Sequence, residues 1–216
     1  MYRGNDIRKD QSYMLHMLGQ KELSRLMFPL GAMTKPEVRA LASQLELATA
    51  ERPESQDICF VPDRDYRSFV KSQRPDAFAA GNIVDQQGTT VGTHQGIPLY
   101  TVGQRKGLGL AVGTPLFVTH IDAQSNTIVV GPQTDLKKTT IQVDRATYVA
   151  GTPPDNQFSC LVQSRSHAPA VAAQVTVTGA QTATVTFDEP QDGISPGQSA
   201  VFYADTEVIG GGRILV

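Results

Sequence analysis

Hydrophobic residues recur every three or four positions through the first third of the chain, a spacing typical of short amphipathic helices. Asp10 is expected to cap the first helix, and Gly19 to end it in a left-handed conformation. A second short helix is predicted at about residues 20–26. The apolar positions of the first helix are Tyr13, Met14, Met17 and Leu18.

A third helix is marked by the sequence Thr34-x-x-Glu37, a capping box in which each side chain accepts an amide proton of the other residue. Its apolar stripe is expected to pack into a core. After a short strand, Asp63 is expected to cap a further helix with Tyr66, Phe69 and Val70 turned inward. The apolar stripe of the third helix consists of Val38, Leu41, Ala42 and Leu45.

From Gly81 onward the period changes to the alternation of β-strands. Residues 81–85 and 90–92 flank the turn at 86–88, which predicts a hairpin. Eight further strands predict an antiparallel barrel or sandwich, and a barrel is favoured because closure removes exposed strand edges. The chain is therefore predicted to be α+β, with a helix-rich part followed by a β-barrel. The strands are expected near 116–121, 127–130, 140–150, 158–164, 170–178, 182–187, 199–204 and 207–215.

Composition restricts the function only weakly. The 19 Lys and Arg residues nearly balance the 21 Asp and Glu residues, so any nucleic-acid surface must be a local patch. The two cysteines form no disulfide framework, which fits a reducing cytoplasm. The N-terminus has no signal-peptide pattern and no stretch is apolar enough to span a membrane, so a soluble protein is predicted. The four histidines lack the spacing of metal ligands, and no metal site is expected.

Cys59 lies in the short apolar run Ile58–Val61, and two interpretations of it stay open. Free cysteine is among the most buried residue types, so Cys59 can be a structural residue. It also lies at the edge of an element, where a thiol can be both fixed and accessible. Cys160, inside a predicted strand, is most simply a residue of the barrel core.

Two polar stretches are candidate anion sites. Gln104, Arg105 and Lys106 lie among the glycines of the loop 103–109, which can wrap a phosphate or act as a plain hinge. Residues 8–12 place donors at a helix N-terminus, although a solvated cap explains them better.

Five stretches of the chain, considered together, form a recognisable series: residues 8–13, 28–31, 54–60, 103–109 and 195–203. In this order they resemble the tRNA-specific 2-thiouridylases. The resemblance covers nearly the whole chain and implies an enzyme that replaces oxygen by sulfur at C2 of the wobble uridine 34 in tRNAs for Lys, Glu and Gln. In that family ATP activates the carbonyl, and a cysteine persulfide then delivers its terminal sulfur. A second cysteine releases the sulfur by forming a disulfide.

Residue by residue, the resemblance implies that Cys59 carries the persulfide. It implies tRNA contacts for Lys9, Asp10, Gln11, Arg165, Ser166 and Gln198. Ser166 departs from the family's Arg-Tyr-Arg pattern, because the chain reads Arg165-Ser166-His167 and lacks the aromatic ring that could stack on a base.

The resemblance also implies a division into a helical segment (1–27), a central domain with Cys59 (28–98) and a barrel similar to those of translation factors (99–216). The family's N-terminal ATP-pyrophosphatase domain, which binds ATP and carries the second cysteine, has no counterpart here. The chain is therefore expected to be an incomplete enzyme, inactive alone. Its expected partners are tRNA and a cysteine desulfurase or sulfur-relay protein, and a monomer is expected.

Two other functions compete with this one. A tRNA- or ribosome-binding barrel module with structural cysteines would bind tRNA regardless of Cys59. A methyltransferase is disfavoured, because no glycine-rich turn from a strand into a helix is visible for a methyl donor.

Overall fold

The structure is a computed structural model that describes residues 1–52, 61, 65–110 and 113–215. Two compact units make up the chain. The barrel unit combines Met1–Arg52 with Lys138–Val216, and the sheet unit is Pro53–Lys137. The α+β class with an antiparallel barrel is confirmed. The three-part division at residues 27/28 and 98/99 stays a prediction.

In its described residues, the barrel unit contains three helices and six strands. Six antiparallel strands close in the order β10-β5-β8-β7-β6-β9, so that no strand edge is left unpaired. Helices α1, α2 and α3 precede these strands in the sequence. The elements are α1 Ser12–Leu15, α2 Gln20–Leu23, α3 Lys35–Gln44, β5 Lys138–Tyr148, β6 Gln157–Gln163, β7 Val171–Gly179, β8 Thr182–Gln191, β9 Ser199–Ala204 and β10 Glu207–Ile214.

The inside of the barrel is filled by every second residue of each strand, as a closed sheet requires. In β8, Ala183, Val185 and Phe187 are buried in this core, and Phe202 of β9 joins them with no exposed surface. Phe158 meets Phe202 edge to face, with 6.2 Å between ring centres. The alternation that predicted these strands therefore also identified the core side of each one.

The outer face of β9 is buried as well, because the N-terminal residues cover it. Val201 and Tyr203 point away from the barrel core and pack with Tyr13 of α1. The backbone amide of Arg3 donates to the carbonyl of Thr206 over 2.8 Å. The N-terminal segment is thus held against the barrel by both backbone and side-chain contacts.

Helix α1 is shorter than its apolar period predicted. It spans Ser12–Leu15, and Gln11, not Asp10, is the residue that precedes it. The prediction for Gly19 is wrong, since Gly19 has φ −94° and ψ −177° and is the extended residue before α2. Met17 is 60% exposed, so the apolar periodicity of the sequence extends beyond the residues that pack against the barrel.

The capping box of α3 is confirmed, but the predicted burial of its stripe is not. The Thr34 amide donates to Glu37 Oε2 over 2.6 Å, and the Thr34 hydroxyl donates to the same oxygen over 2.7 Å. Leu41 is 39% exposed and Leu45 is 61% exposed. None of the described strands packs extensively against α3, which is why an amphipathic pattern here does not produce a core.

The sheet unit contains a four-stranded mixed sheet in the order β2-β1-β4-β3, with β1 and β4 parallel. The predicted hairpin at 81–94 is confirmed as β1 and β2. The strands predicted near 116–121 and 127–130 exist as β3 and β4, but they pair in this sheet and not in the barrel. Its elements are α4 Tyr66–Gln73, β1 Gly81–Val84, β2 Thr90–His94, β3 Phe117–Asp122 and β4 Thr127–Gly131, with 3-10 helices at Pro75–Phe78, Ile97–Leu99 and Gln133–Leu136.

Helix α4 begins two residues later than the sequence suggested. Asp65 caps it by accepting the amide proton of Ser68 over 3.1 Å, whereas Asp63 lies outside the described residues. Phe69 and Val70 are half-buried as predicted, but Tyr66 is 46% exposed. Among the helices of the described residues, none has the length and apolar character needed to cross a membrane.

Candidate functional site

The two cysteines differ in what the structure says of them. Cys59 lies outside the described residues. Cys160 is a free thiol in β6 that packs against the barrel core, as predicted. Burial raises the pKa of the Cys160 thiol to about 12, so this sulfur stays protonated and unreactive near neutral pH.

The candidate tRNA-contacting residues 9–11 lie where the N-terminal segment enters α1. Asp10 is the anchor of this turn: Oδ1 accepts the amide protons of Gly4 and Ser12, each over 3.0 Å, and Oδ2 accepts the Ser12 hydroxyl over 2.6 Å. Lys9 and Gln11 are exposed on either side. The carboxylate of Asp10 is therefore occupied with shaping the backbone that presents its neighbours.

A second candidate element is the loop at residues 163–169, between β6 and β7. Gln163 is buried, and its side-chain amide donates to the carbonyl of Arg165 over 3.2 Å. The amide of Ala168 donates to the same carbonyl over 3.1 Å, and His167 adopts a left-handed conformation with φ 62°. These bonds close a tight turn that leaves Arg165, Ser166 and His167 exposed.

Arg3 connects the two elements. Its guanidinium carbon lies 3.7 Å from the ring centre of Tyr203, a cation–π contact, and Nη2 donates to Gln163 Oε1 over 3.3 Å. The hydroxyl of the same tyrosine lies 3.1 Å from Ser12 Oγ, which in turn is bonded to Asp10. One polar network thus joins the turn at Asp10 to the turn at Arg165.

Between these elements lies a groove of about 380 Å³, called here the N-terminal groove. The structure brings Asp10 and Ser166 together on its walls. The other lining residues are Arg3, Ile7, Arg8, Tyr13, Gln163, His167, Ala168 and Pro169.

Gln198 is not part of this lining. It ends the turn that begins at Ser195, and its carbonyl accepts the amide proton of Ile214 over 2.7 Å. The next residue, Ser199, accepts the Tyr13 hydroxyl through its carbonyl over 2.9 Å. Gln198 is therefore adjacent to the residue on which α1 docks, and its proposed role in tRNA contact stays a prediction.

His16 makes the docking of α1 sensitive to pH. The ring is 5% exposed, Nε2 lies 3.0 Å from Ser199 Oγ, and Nδ1 has no hydrogen-bond partner among the described residues. Burial lowers the pKa of His16 below its ordinary value of 6.5. Above pH 6.5 the His16 ring is neutral whether α1 is docked or undocked. Below pH 6.5 the ring gains a proton more readily when α1 is undocked, so protonation favours the undocked state.

We therefore expect the docking of α1 to weaken as the pH falls below about 6.5, by up to tenfold per pH unit. Hydrogen exchange of the amides in Ser12–Leu15, corrected for the intrinsic effect of pH, measures this change. His16→Gln cannot gain the proton, so its exchange should depend less on pH. An equal pH dependence in the two proteins would show that another group is responsible.

In the sheet unit, the loop with Gln104, Arg105 and Lys106 is folded by its own side chain. Gln104 Oε1 accepts the amide proton of Thr101 over 3.1 Å, and Nε2 donates to the carbonyl of Lys106 over 2.9 Å. Gly103 and Gly107 have φ of 87° and 77°, a left-handed conformation that favours glycine. Gln104 is therefore a structural residue, and only Arg105 and Lys106 are exposed for an anion.

Next to this loop lies a cavity of about 210 Å³, lined in part by Arg105, Leu108 and Leu116. The loop is not the phosphate loop of a nucleotide site, because no described helix follows the glycines. Among the described residues, no three His, Cys, Asp or Glu side chains are grouped closely enough to hold a metal ion.

Sequence reasoning missed the residues that hold the N-terminal groove together. Gln163 is a polar residue at a buried position, and Tyr203 appeared only as one residue of a matching stretch. Arg3 and Gln163 are separated by 160 positions in the chain. One signal was available in the sequence, namely the alternation in β9. Because Phe202 faces the barrel core, its neighbour Tyr203 faces outward, and this large side chain needs a packing partner outside the barrel.

Three family models match successive parts of the chain. The tRNA methyl transferase HUP domain matches residues 1–63, the tRNA methyl transferase PRC-barrel domain matches residues 67–132, and the aminomethyltransferase beta-barrel domain matches residues 138–214. The last of these covers the six strands of the closed barrel.

Curated relatives match along the whole chain. The tRNA-specific 2-thiouridylase MnmA of Roseiflexus castenholzii is 53% identical over 214 residues, which is 99% of this chain and 58% of that protein. The proteins of the same name from Chloroflexus aurantiacus and Heliobacterium modesticaldum are 50% and 45% identical, and the chain covers 60% and 56% of them. The chain thus spans less than two thirds of the length of these relatives.

The three matched domains and these relatives agree, so the chain is homologous to part of a class of proteins that are named as tRNA-modifying enzymes. Within that class, the chain corresponds to part of the tRNA-specific 2-thiouridylases, over 99% of its own length and 56–60% of theirs.

Proposed function

We propose that this chain is the tRNA-binding and sulfur-carrying part of an enzyme that thiolates C2 of the wobble uridine 34 in tRNA. The observation that supports this function most directly is the polar network of Arg3, Tyr203 and Gln163. It holds two candidate tRNA-contacting elements, the turn at Asp10 and the turn at Arg165, on either side of one groove.

Electrostatics favour an anionic partner at this surface although the whole chain has a net charge of −2. Asp6 accepts the backbone amides of Lys35 and Arg8, and the first of these bonds is the main cause that lowers the Asp6 pKa. Asp10 is engaged in the same way. These hydrogen bonds do not remove the charge of a carboxylate, and the surface favours an anion because Arg3, Arg8, Lys9 and Arg165 outnumber the two aspartates. Arg8 and Arg165 are exposed to a phosphate backbone.

In the proposed chemistry, Cys59 accepts a sulfur atom from a cysteine desulfurase or a relay protein and becomes a persulfide. The terminal sulfur forms a bond to C2 of the uridine as the activated C2 oxygen leaves. The S–S bond then breaks when a second cysteine thiolate attacks Cys59 Sγ, which forms a disulfide and leaves the sulfur on the base. Cys160 does not suit the role of that second cysteine, because it belongs to a strand of the barrel and packs against the barrel core.

The family resemblance implies that ATP activates the uridine. The loop 103–109 is not a phosphate loop for that ATP, because it lacks the G-x-x-x-x-G-K-[ST] pattern. No step of the proposed chemistry in this chain therefore uses residues 103–109.

Binding of tRNA tests the proposed function. We expect the chain to bind a tRNA for Lys, Glu or Gln with an affinity that falls as the salt concentration rises. Arg8→Gln and Arg165→Gln should each weaken binding several-fold and reduce the slope of log K against log salt by about 0.7–0.9. Fluorescence polarisation of labelled tRNA at several salt concentrations measures both quantities.

Arg145→Gln is the matched control for these variants. Arg145 is an exposed arginine of β5, which lies opposite β6 in the ring of six strands. This variant should bind tRNA like the unchanged protein. Equal losses in all three variants would mean that tRNA binds by charge alone and not at the proposed surface.

A further inference from the structure

The N-terminal groove has a size and a lining that suit one small polar molecule. Its volume of about 380 Å³ lies near the lower end of the ~300–1,000 Å³ usual for small-ligand sites. Ile7 and Pro169 offer apolar surface, while Arg8, Ser166 and His167 offer hydrogen-bond donors. A double helix is too wide for such a groove, whereas a single nucleotide is not.

The walls of the groove are fixed before any ligand binds. Gln163 bonds to Arg3 on one side and to Arg165 on the other. Arg3 is held on the face of Tyr203, and its Nε is buried without a hydrogen-bond partner among the described residues. A groove whose walls are already fixed loses little conformational entropy when it binds a flexible ligand.

The chemistry of the lining suits a nucleotide. The guanidinium of Arg8 suits a phosphate, and the hydroxyl of Ser166 on the other element suits a ribose hydroxyl. The exposed side chain of Ile7 and the ring of Pro169 can pack against the face of a base. Proteins recognise single-stranded RNA through such unstacked bases.

We propose that the N-terminal groove binds one unpaired nucleotide of the tRNA, with Arg8 and Ser166 at its phosphate and ribose and with Ile7 and Pro169 at its base. This assignment rests on the proposed tRNA binding and adds to it a site for a single nucleotide. Arg3 and Gln163 act as positioning residues, because they hold the walls and do not need to touch the RNA.

The experiment uses a uridine trinucleotide as the probe and follows the backbone amides of the isotope-labelled chain by NMR. We expect the trinucleotide to shift the amides of Ser12, Ser166 and Ala168. Ala168→Leu fills the groove without changing its charge, so it should weaken binding by about tenfold or more. Shifts that map to another surface, or unchanged binding by Ala168→Leu, would overturn the proposal.

Two further variants provide a control for Ala168→Leu and a separate test of the contact with the base. Ala172→Leu makes the same change at an exposed position of β7 and should bind the trinucleotide normally. Ile7→Ser removes an apolar side chain that is 60% exposed, so it should fold normally and still weaken binding several-fold. If Ile7→Ser binds as tightly as the unchanged chain, the proposed contact with a base is wrong.

Three possible outcomes distinguish failure of the groove assignment from failure of the proposed tRNA binding. If the chain binds tRNA but the trinucleotide does not shift the groove, the groove assignment fails and tRNA binding stands. If the trinucleotide binds in the groove and tRNA does not bind, the proposed function fails and the groove stands. If inorganic phosphate alone reproduces the shifts and the affinity, the groove is an anion site and not a nucleotide site.

Discussion

Replacing Cys59 by serine is expected to abolish the loading of sulfur onto this chain. A thiolate attacks the persulfide of a cysteine desulfurase and takes over its terminal sulfur, and a serine hydroxyl cannot do so. Incubation with a desulfurase and radiolabelled cysteine, followed by non-reducing gel electrophoresis, measures the label on the chain. We expect the Cys59→Ser variant to carry less than about a tenth of the label of the unchanged chain.

Cys160→Ser is the matched control for this experiment. Partial burial against the barrel core raises the pKa of the Cys160 thiol to about 12, so this thiol is a poor nucleophile near neutral pH. Its replacement should leave the label unchanged. If the Cys59→Ser variant still carries the full label, the sulfur-carrying role is wrong, and a tRNA-binding module with structural cysteines explains the chain better.

The alternation of apolar and polar residues predicted most of the barrel, because every second residue of a strand in a closed barrel faces the core. In β8, residues of alternating type predict Ala183, Val185 and Phe187 on one face, and these are the residues buried in the core. The capping box at Thr34 was predictable for a similar reason, since its contacts span only three positions. Local rules of this kind need no knowledge of the partner elements.

Errors arose where the partner of an element decides its structure. The strands β3 and β4 have the same alternation as barrel strands, and only their pairing with β1 places them in another sheet. The stripe of α3 has the period of a buried helix, yet Leu45 is 61% exposed because no described element covers it. A periodic pattern indicates which face of a helix or strand is apolar, but it does not indicate which other element packs against that face.

The candidate site shows the same limit. Resemblance to a family selected Asp10 and Ser166 from the sequence, and the structure places both on one groove. Arg3, Gln163 and Tyr203, which hold that groove, lie far apart in the chain and follow no motif. Contacts between distant polar side chains depend on the completed fold, so the alternation in β9 could indicate that Tyr203 needs a partner but not that Arg3 is this partner.

The closure of the barrel depends on glycines in β10, and Gly210 is the most sensitive of them. Gly210 pairs with Tyr148 of β5 on one side and with Phe202 of β9 on the other. A Cβ added at Gly210 would overlap the carbonyl oxygen of Thr147 and lie 2.9 Å from the Cα of Tyr148. Both of these are backbone atoms, which cannot move away without breaking the pairing of β5 with β10.

Gly210→Ala is therefore expected to destabilise the barrel by roughly 3 kcal/mol or more, at the upper end of overpacking penalties. Hydrogen exchange of amides in β5 and β9 should become faster by on the order of 100-fold, since each 1.4 kcal/mol is a factor of ten. Gly4→Ala is the matched control, because a Cβ there meets no atom closer than 3.7 Å. If both variants exchange at the rate of the unchanged chain, β10 has room to move away from β5 and its glycines are not what closes the barrel.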